Sequence, residues 1–147
     1  MPSGFALDTN VYIDALRNRG ELGELKTFLS RYGSRVWLLG VVATELAAGA
    51  LSAEQARAVD SLIHPYASRD RVLGASFSAC RQAGRVLAAL AMRERVRVST
   101  AARSLTNDVL LAASCREAGV VLVTRNVRDF SKIRTHLAGF RFAAPWL

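Results

Sequence analysis

Three short runs in this 147-residue chain are apolar at every position: Phe5-Ala6-Leu7, Val36-Trp37-Leu38-Leu39 and Val120-Val121-Leu122-Val123, the last closed by Thr124. A strand with one wet face alternates apolar and polar residues. A strand with no polar position must be covered on both sides, which is the condition of a parallel sheet. Between these runs lie segments of helical period, and strands alternating with helices lead to an α/β layer structure. The expectation is one α/β domain over residues 1–147, built on a central parallel sheet of about five strands with helices on both faces.

The intervening segments carry recognisable boundaries. Asp8-Thr9-Asn10 supplies side chains suited to a helix N-cap, ahead of a helix from Val11 to Arg17. Glu21 to Tyr32 places Leu22, Leu25, Phe28 and Leu29 on one face. After Gly40 a helix from Val42 to Ala50 carries Glu45. Ser52 and Gln55 have capping-box spacing and open a helix that runs through His64, where Pro65 is expected to stop it. Arg71 to Gly74 reads as a short strand, Ser76 to Arg95 as a long helix, and Val96 to Ala101 as a loop. A helix then starts at Ser104 or Thr106, holds Asp108 in its first turns and ends at Glu117, with Gly119 as its stop. Phe140-Arg141-Phe142 is a candidate last strand.

Half of the residues are apolar (51%), enough for one packed core. No run reaches the roughly 18 apolar residues of a membrane helix. The start has neither a basic n-region nor a long apolar h-region, so a cytoplasmic location with no membrane partner is expected. Cys80 and Cys115 both fall within helical patterns and are read as core packing, since two cysteines do not make a zinc site. The net charge is +8, and Lys26 and Lys132 are the only lysines among the basic residues. An arginine-rich excess suits a polyanionic partner. A genome rich in arginine codons gives the same composition, so single arginines say little. Arg81 and Arg85 lie four apart and share a helix face, suited to gripping RNA or a partner or simply to solvation.

Against this basic background, Asp8, Glu45, Asp108 and Asp129 fall where strands end or helices begin. Ligands of open parallel sheets bind beyond the carboxyl ends of the strands. If the strands at Phe5 and Val120 are neighbours, all four carboxylates reach one edge of the sheet. Thr9, Asn10, Thr124 and Asn126 stand beside them as neutral hydrogen-bonding groups. Each acid alone has a plainer use: Asp8 as an N-cap, Asp108 at a helix N-terminus, Glu45 on a solvated face, Asp129 capping the turn before Ser131. Together, each pair at about 5 Å would repel by roughly 3 kcal/mol. A hard divalent cation relieves that repulsion.

Four segments make a family resemblance explicit: Leu7-Asp8-Thr9-Asn10, Thr44-Glu45-Leu46, Asn107-Asp108-Val109-Leu110-Leu111-Ala112-Ala113, and Thr124-Arg125-Asn126-Val127-Arg128-Asp129-Phe130. They resemble the four acidic motifs of the PIN domain. In order, spacing and length the chain is similar to the VapC toxins of bacterial toxin–antitoxin pairs. The resemblance implies an Mg²⁺- or Mn²⁺-dependent endoribonuclease with Asp8, Glu45, Asp108 and Asp129 as its acidic pocket. Asp8 and Asp108 would be direct metal ligands, with Asp129 next. Glu45 would bind a second ion, hold a water or help deprotonate the nucleophile. Thr124 and Asn126 match the positions that orient Asp129 and the Asp8 side. The resemblance also implies an RNA substrate, a small antitoxin partner and a homodimer. The first two helices and the helix after Ser76 are alternative candidate sources of the apolar surface for that dimer, and the sequence does not choose among them. Arg125 and Arg128 are candidate phosphate contacts on the pocket rim.

Other chemistries fit less well. A receiver domain needs a lysine ending a late strand, where this chain has Arg125. A haloacid-dehalogenase-type phosphatase needs a second aspartate where Asn10 stands. There is no Gly-rich phosphate loop ending in Lys-Ser/Thr. His64 and His136 are far apart and have no catalytic context. The alternatives that survive are a structure-specific DNA or RNA nuclease of the PIN class and a non-catalytic basic nucleic-acid-binding module.

Overall fold

In the computed structural model, which describes residues 4–93 and 102–146, the three apolar runs lie side by side. They are β1 (Gly4–Leu7), β2 (Val36–Leu39) and β4 (Val120–Val123), and each has its second residue half-buried and the rest buried. The helices are α1 (Thr9–Arg17), α2 (Arg19–Tyr32), α3 (Gly40–Gly49), α4 (Ala53–Ser68), α5 (Phe77–Arg93), α6 (Ala102–Ala118) and α7 (Val127–Thr135). Two short strands, β3 (Val72–Leu73) and β5 (Phe142–Ala143), flank the sheet. Its order is β3-β2-β1-β4-β5 and every pairing is parallel.

This order creates the place where the site forms. The chain steps outward from β1 to β2 to β3, then returns across the sheet through α5 and α6 to lay β4 on the other side of β1. Connections therefore leave β1 and β4 in opposite directions, opening a crevice at their carboxyl ends. The register places Leu7 opposite Val123, and the Asp8 amide donates to the Val123 carbonyl at 2.9 Å. Asp8 and Thr124 thus leave the sheet side by side.

Several boundaries differ from the sequence reading. Pro65 does not end α4, which continues to Ser68. Proline removes one helical hydrogen bond, but the turn beyond it is anchored by tertiary contacts. Tyr66 is buried and its hydroxyl bonds that of Tyr12 at 2.9 Å. Its carbonyl accepts from the Arg71 amide, whose own carbonyl accepts from Leu38 of β2. Helix α2 starts two residues early, because the Asn18 side chain accepts from the amides of Gly20 and Glu21. Helix α1 starts at Thr9, capped by Asp8, and α6 already runs from Ala102. The last strand is Phe142–Ala143, with Phe140 buried before it in an aromatic group with Phe130 and Phe142. Cys115 is core, as expected, whereas Cys80 is exposed because it falls on the outer face of α5. The expected loop at Val96 to Ala101 lies outside the described residues. Among the described residues, no helix is long and apolar enough to cross a membrane.

Gly4 sets how closely β1 and β2 approach at their start. A Cβ placed there would lie 2.5 Å from the backbone carbonyl oxygen of Arg35. Gly4→Ala is therefore expected to lower stability by about 1–3 kcal/mol. Urea denaturation should show a lower midpoint with an unchanged slope; an unchanged midpoint would contradict the close approach.

Candidate active site

Asp8 follows β1 directly and is locked on both oxygens. Oδ1 accepts from the Thr9 amide at 2.8 Å, which makes Asp8 the N-cap of α1. Oδ2 accepts from the Thr124 hydroxyl at 2.7 Å and the Asn10 amide at 3.2 Å. Its capping role and its place in the cluster are therefore one arrangement, since the residue that starts α1 also faces the end of β4. Thr124 is fully buried, and its hydroxyl oxygen also accepts from the Asn126 amide at 3.0 Å. The Arg125 amide donates to Asn10 Oδ1 at 3.2 Å. The turn after β4 and the first turn of α1 thus hold each other in place across the crevice.

The other three acids come from separate helices. Glu45 sits midway along α3, and its Oε1 accepts from the Thr9 hydroxyl at 2.8 Å. Asp129 lies in the first turn of α7 and accepts from the Asn126 side-chain amide at 3.1 Å. That same amide reaches the Asp108 carboxylate on α6 at 3.5 Å, a long contact. Thr124 consequently orients Asp8, and Asn126 bridges Asp108 and Asp129.

The electrostatics follow from this geometry. Burial pushes the Asp108 carboxyl up to about 8, with further upward pressure from Asp8, Glu45 and Asp129. One site therefore feels all three of the other acids. Burial also raises Asp8, opposed by its bonds from Thr124 and Thr9 and reinforced by Glu45. Arg125 forms ion pairs with Asp14 at 2.6 Å and with Glu21. No described cation neutralises the four acids. No three of the described acidic, His or Cys side chains close into a ready-made metal cage. The donor set is instead an open group of carboxylate oxygens, fixed by hydroxyl and amide donors. That set suits a hard cation that keeps several of its waters.

Arg125, expected on the rim facing phosphates, is turned away by Asp14 and Glu21. Glu21 also accepts from the Trp146 indole at 2.9 Å. This clamp was not legible beforehand, because Asp14, Glu21 and Trp146 belong to no motif and meet only through the fold. Arg128 is exposed on α7. His64 is exposed on α4 and His136 caps the far end of α7. Burial pushes the Cys115 thiol far up, so it is no nucleophile.

A PIN-domain profile matches residues 5–135. The chain belongs to the PIN-domain family. Among solved structures it is similar to a chain of DNA-bound VapBC from Salmonella typhimurium, at 26% identity and TM-score 0.72, covering 97% of this chain and 98% of that one. It also shares its fold with VapBC-1 from nontypeable Haemophilus influenzae (22% identity, TM-score 0.69, 95% and 96% covered). FitAcB from Neisseria gonorrhoeae is a further match (17% identity, TM-score 0.69, 97% and 98% covered). No curated protein matches by sequence. The expected PIN-type α/β fold is borne out, and PIN domains are nucleases.

The raised Asp108 carboxyl gives this PIN domain a pH-dependent stability. The folded state holds that proton up to about pH 8, while the unfolded chain releases it near 3.8. The native state binds more protons across this window, so stability falls as pH rises through it. In metal-free buffer above pH 8, Asp108→Asn should melt higher than the parent by roughly 5 °C, with the gap shrinking as pH falls toward 3.8. Parallel melting curves across this range would contradict the buried placement of Asp108 beside the other acids.

Proposed function

We propose that this PIN domain is a divalent-metal-dependent endoribonuclease, the toxin of a VapBC-type pair. The observation that supports this reading is the convergence of Asp8, Glu45, Asp108 and Asp129 at the switch point with no described cation among them. Asp8, Asp108 and Asp129 would hold Mg²⁺, with Mn²⁺ as a substitute, and Glu45 would serve a second ion or its water. When bound there, the cation offsets charge on the phosphate oxygens and acidifies the attacking water.

The chain's own residues do the rest. Asp8 is immobilised by Thr9, Asn10 and Thr124, so its geometry is set before substrate arrives. Asp108 gives up its proton as the cation binds, which couples affinity to pH. Glu45 Oε1 is occupied by the Thr9 hydroxyl, leaving Oε2 to take the proton from the attacking water. Asn126 keeps Asp108 and Asp129 on either side of one amide. Arg128, exposed one residue before Asp129, steadies a neighbouring phosphate. In-line attack by water leaves a 5′-phosphate and a 3′-hydroxyl and makes no use of the ribose 2′-hydroxyl.

Neighbours of the same fold include a toxin–antitoxin complex from Klebsiella pneumoniae and VapBC-5 of Mycobacterium tuberculosis, a member of the VapBC family of toxin–antitoxin systems, and by analogy a small antitoxin is the expected protein partner, with a cytoplasmic homodimer as the working assembly. A basic antitoxin side chain would suit the acidic pocket. Exposed Leu16 and Leu51 are apolar surface available for such contacts.

The test is cleavage of end-labelled total RNA with Mg²⁺, Mn²⁺ or EDTA, alongside Asp8→Ala and Asp108→Ala. Metal-dependent cleavage should fall at least 100-fold in both variants and persist on a substrate 2′-O-methylated at the scissile position. Activity surviving both substitutions would overturn the assignment. Tight RNA binding without cleavage under every metal condition would favour a binding module.

A further inference from the structure

Helix α5 is divided sharply along its length. Ala79, Ala83, Val86 and Leu90 are buried, forming the face that packs on α6. The opposite face carries Phe77, Arg81 and Arg85 at successive four-residue steps, all exposed, with Phe77 at 79%. Residues four apart on a helix stack one above the other, about 5–6 Å between Cβ atoms. The helix contains no aspartate or glutamate. Arg81 and Arg85 make no ion pair among the described residues.

These side chains line a surface groove with Ser78, Gln82 and Arg116, of about 390 Å³. One wall is fixed. The Arg116 guanidinium donates to the Ala138 carbonyl at 2.6 Å and to Gln82 Oε1 at 3.0 Å. Ser76, just before α5, donates to Glu117 at 2.6 Å, which ties the start of α5 to the end of α6. Glu117 is thereby turned to Ser76 and not to the arginines.

The direction of α5 relates the groove to the acidic pocket. Helix α6 leads into β4 through Gly119, so its Asp108 end lies at the carboxyl edge of the sheet and its Arg116 end at the opposite edge. With the start of α5 fastened to the end of α6, α5 climbs from the groove toward the edge that holds the acids. It is about 25 Å long at 1.5 Å per residue.

We propose that the Phe77–Arg81–Arg85 stripe and its groove bind the backbone and bases of single-stranded RNA at a distance from the scissile bond, as a track leading to the acidic pocket. This rests on the ribonuclease reading. Two free guanidinium groups one turn apart can reach neighbouring phosphates, and an exposed phenyl ring beside them offers a stacking surface for a base. An acidic peptide would use the arginines but leave Phe77 without a role. A duplex would present no unstacked base to it.

The experiment measures binding in EDTA, where cleavage is off, by fluorescence anisotropy of labelled oligoribonucleotides. One is about 16 nucleotides long and one about 4. Full-length parent protein is compared with Arg81→Glu/Arg85→Glu and with Phe77→Ala, each checked for an unchanged melting curve. The double variant should bind the long RNA about tenfold more weakly, with a log–log salt slope smaller by roughly 1.4. Phe77→Ala should weaken it by at least about fivefold. An RNA of about 4 nucleotides covers the stripe alone, so the parent should bind it more weakly than the long RNA and both variants more weakly still. In metal, KM for the long RNA should rise at constant kcat.

Unchanged long-RNA affinity and KM in folded variants would overturn the track while leaving a cleaving enzyme intact. Binding of duplex DNA as tight as that of the RNA, through the same arginines, would overturn its single-stranded occupant. Failure of the parent to bind either RNA would also overturn it. A parent that binds the long RNA through these residues but never cleaves would sink the nuclease reading and leave the track standing.

Discussion

Mutual repulsion among four carboxylates is the constraint around which the rest of this molecule is arranged. Burial pushes the Asp108 carboxyl up, and Asp8, Glu45 and Asp129 together push it further. A fold can hold such a group only if each member is fixed by something that does not neutralise it. Here hydroxyls and amides do that work. Thr124, Thr9 and Asn10 fix Asp8, Thr9 fixes Glu45, and Asn126 spans Asp108 and Asp129. The charge remains available to an incoming cation.

The sheet makes this possible by geometry alone. Apolar β1 and β4 are buried on both faces and pair in a register that brings Asp8 level with Thr124. Reversal of strand order at that pair opens the crevice. Around its rim Arg125 is drawn off by Asp14 and Glu21, while Trp146 shares Glu21. An arginine so close to the acids could neutralise them in place of a metal. Pairing it elsewhere keeps the pocket negative and fastens the turn after β4 to α1 and α2.

Much of this was readable in the chain. The uninterrupted apolar runs required a doubly covered parallel sheet, and Asp8, Glu45, Asp108 and Asp129 stood at the ends that such a sheet brings together. What escaped was decided by contacts between distant segments. Pro65 carries a strong local stop signal, yet the Tyr12–Tyr66 bond and the Arg71 backbone hold the helix beyond it. Arg125 looks like a phosphate contact in its motif and is captured by residues more than a hundred positions away. Cys80 and the arginines of α5 share a helical pattern with buried neighbours, and only the packing of α5 on α6 decides which face is wet.

The most direct test of the central claim is calorimetric titration of Mn²⁺ into the metal-free protein at pH 7, in two buffers of different ionisation enthalpy. The account predicts saturable binding accompanied by proton release, with binding lost in Asp8→Asn and the released proton lost in Asp108→Asn. Absence of binding, or binding indifferent to both substitutions and to the buffer, would contradict it.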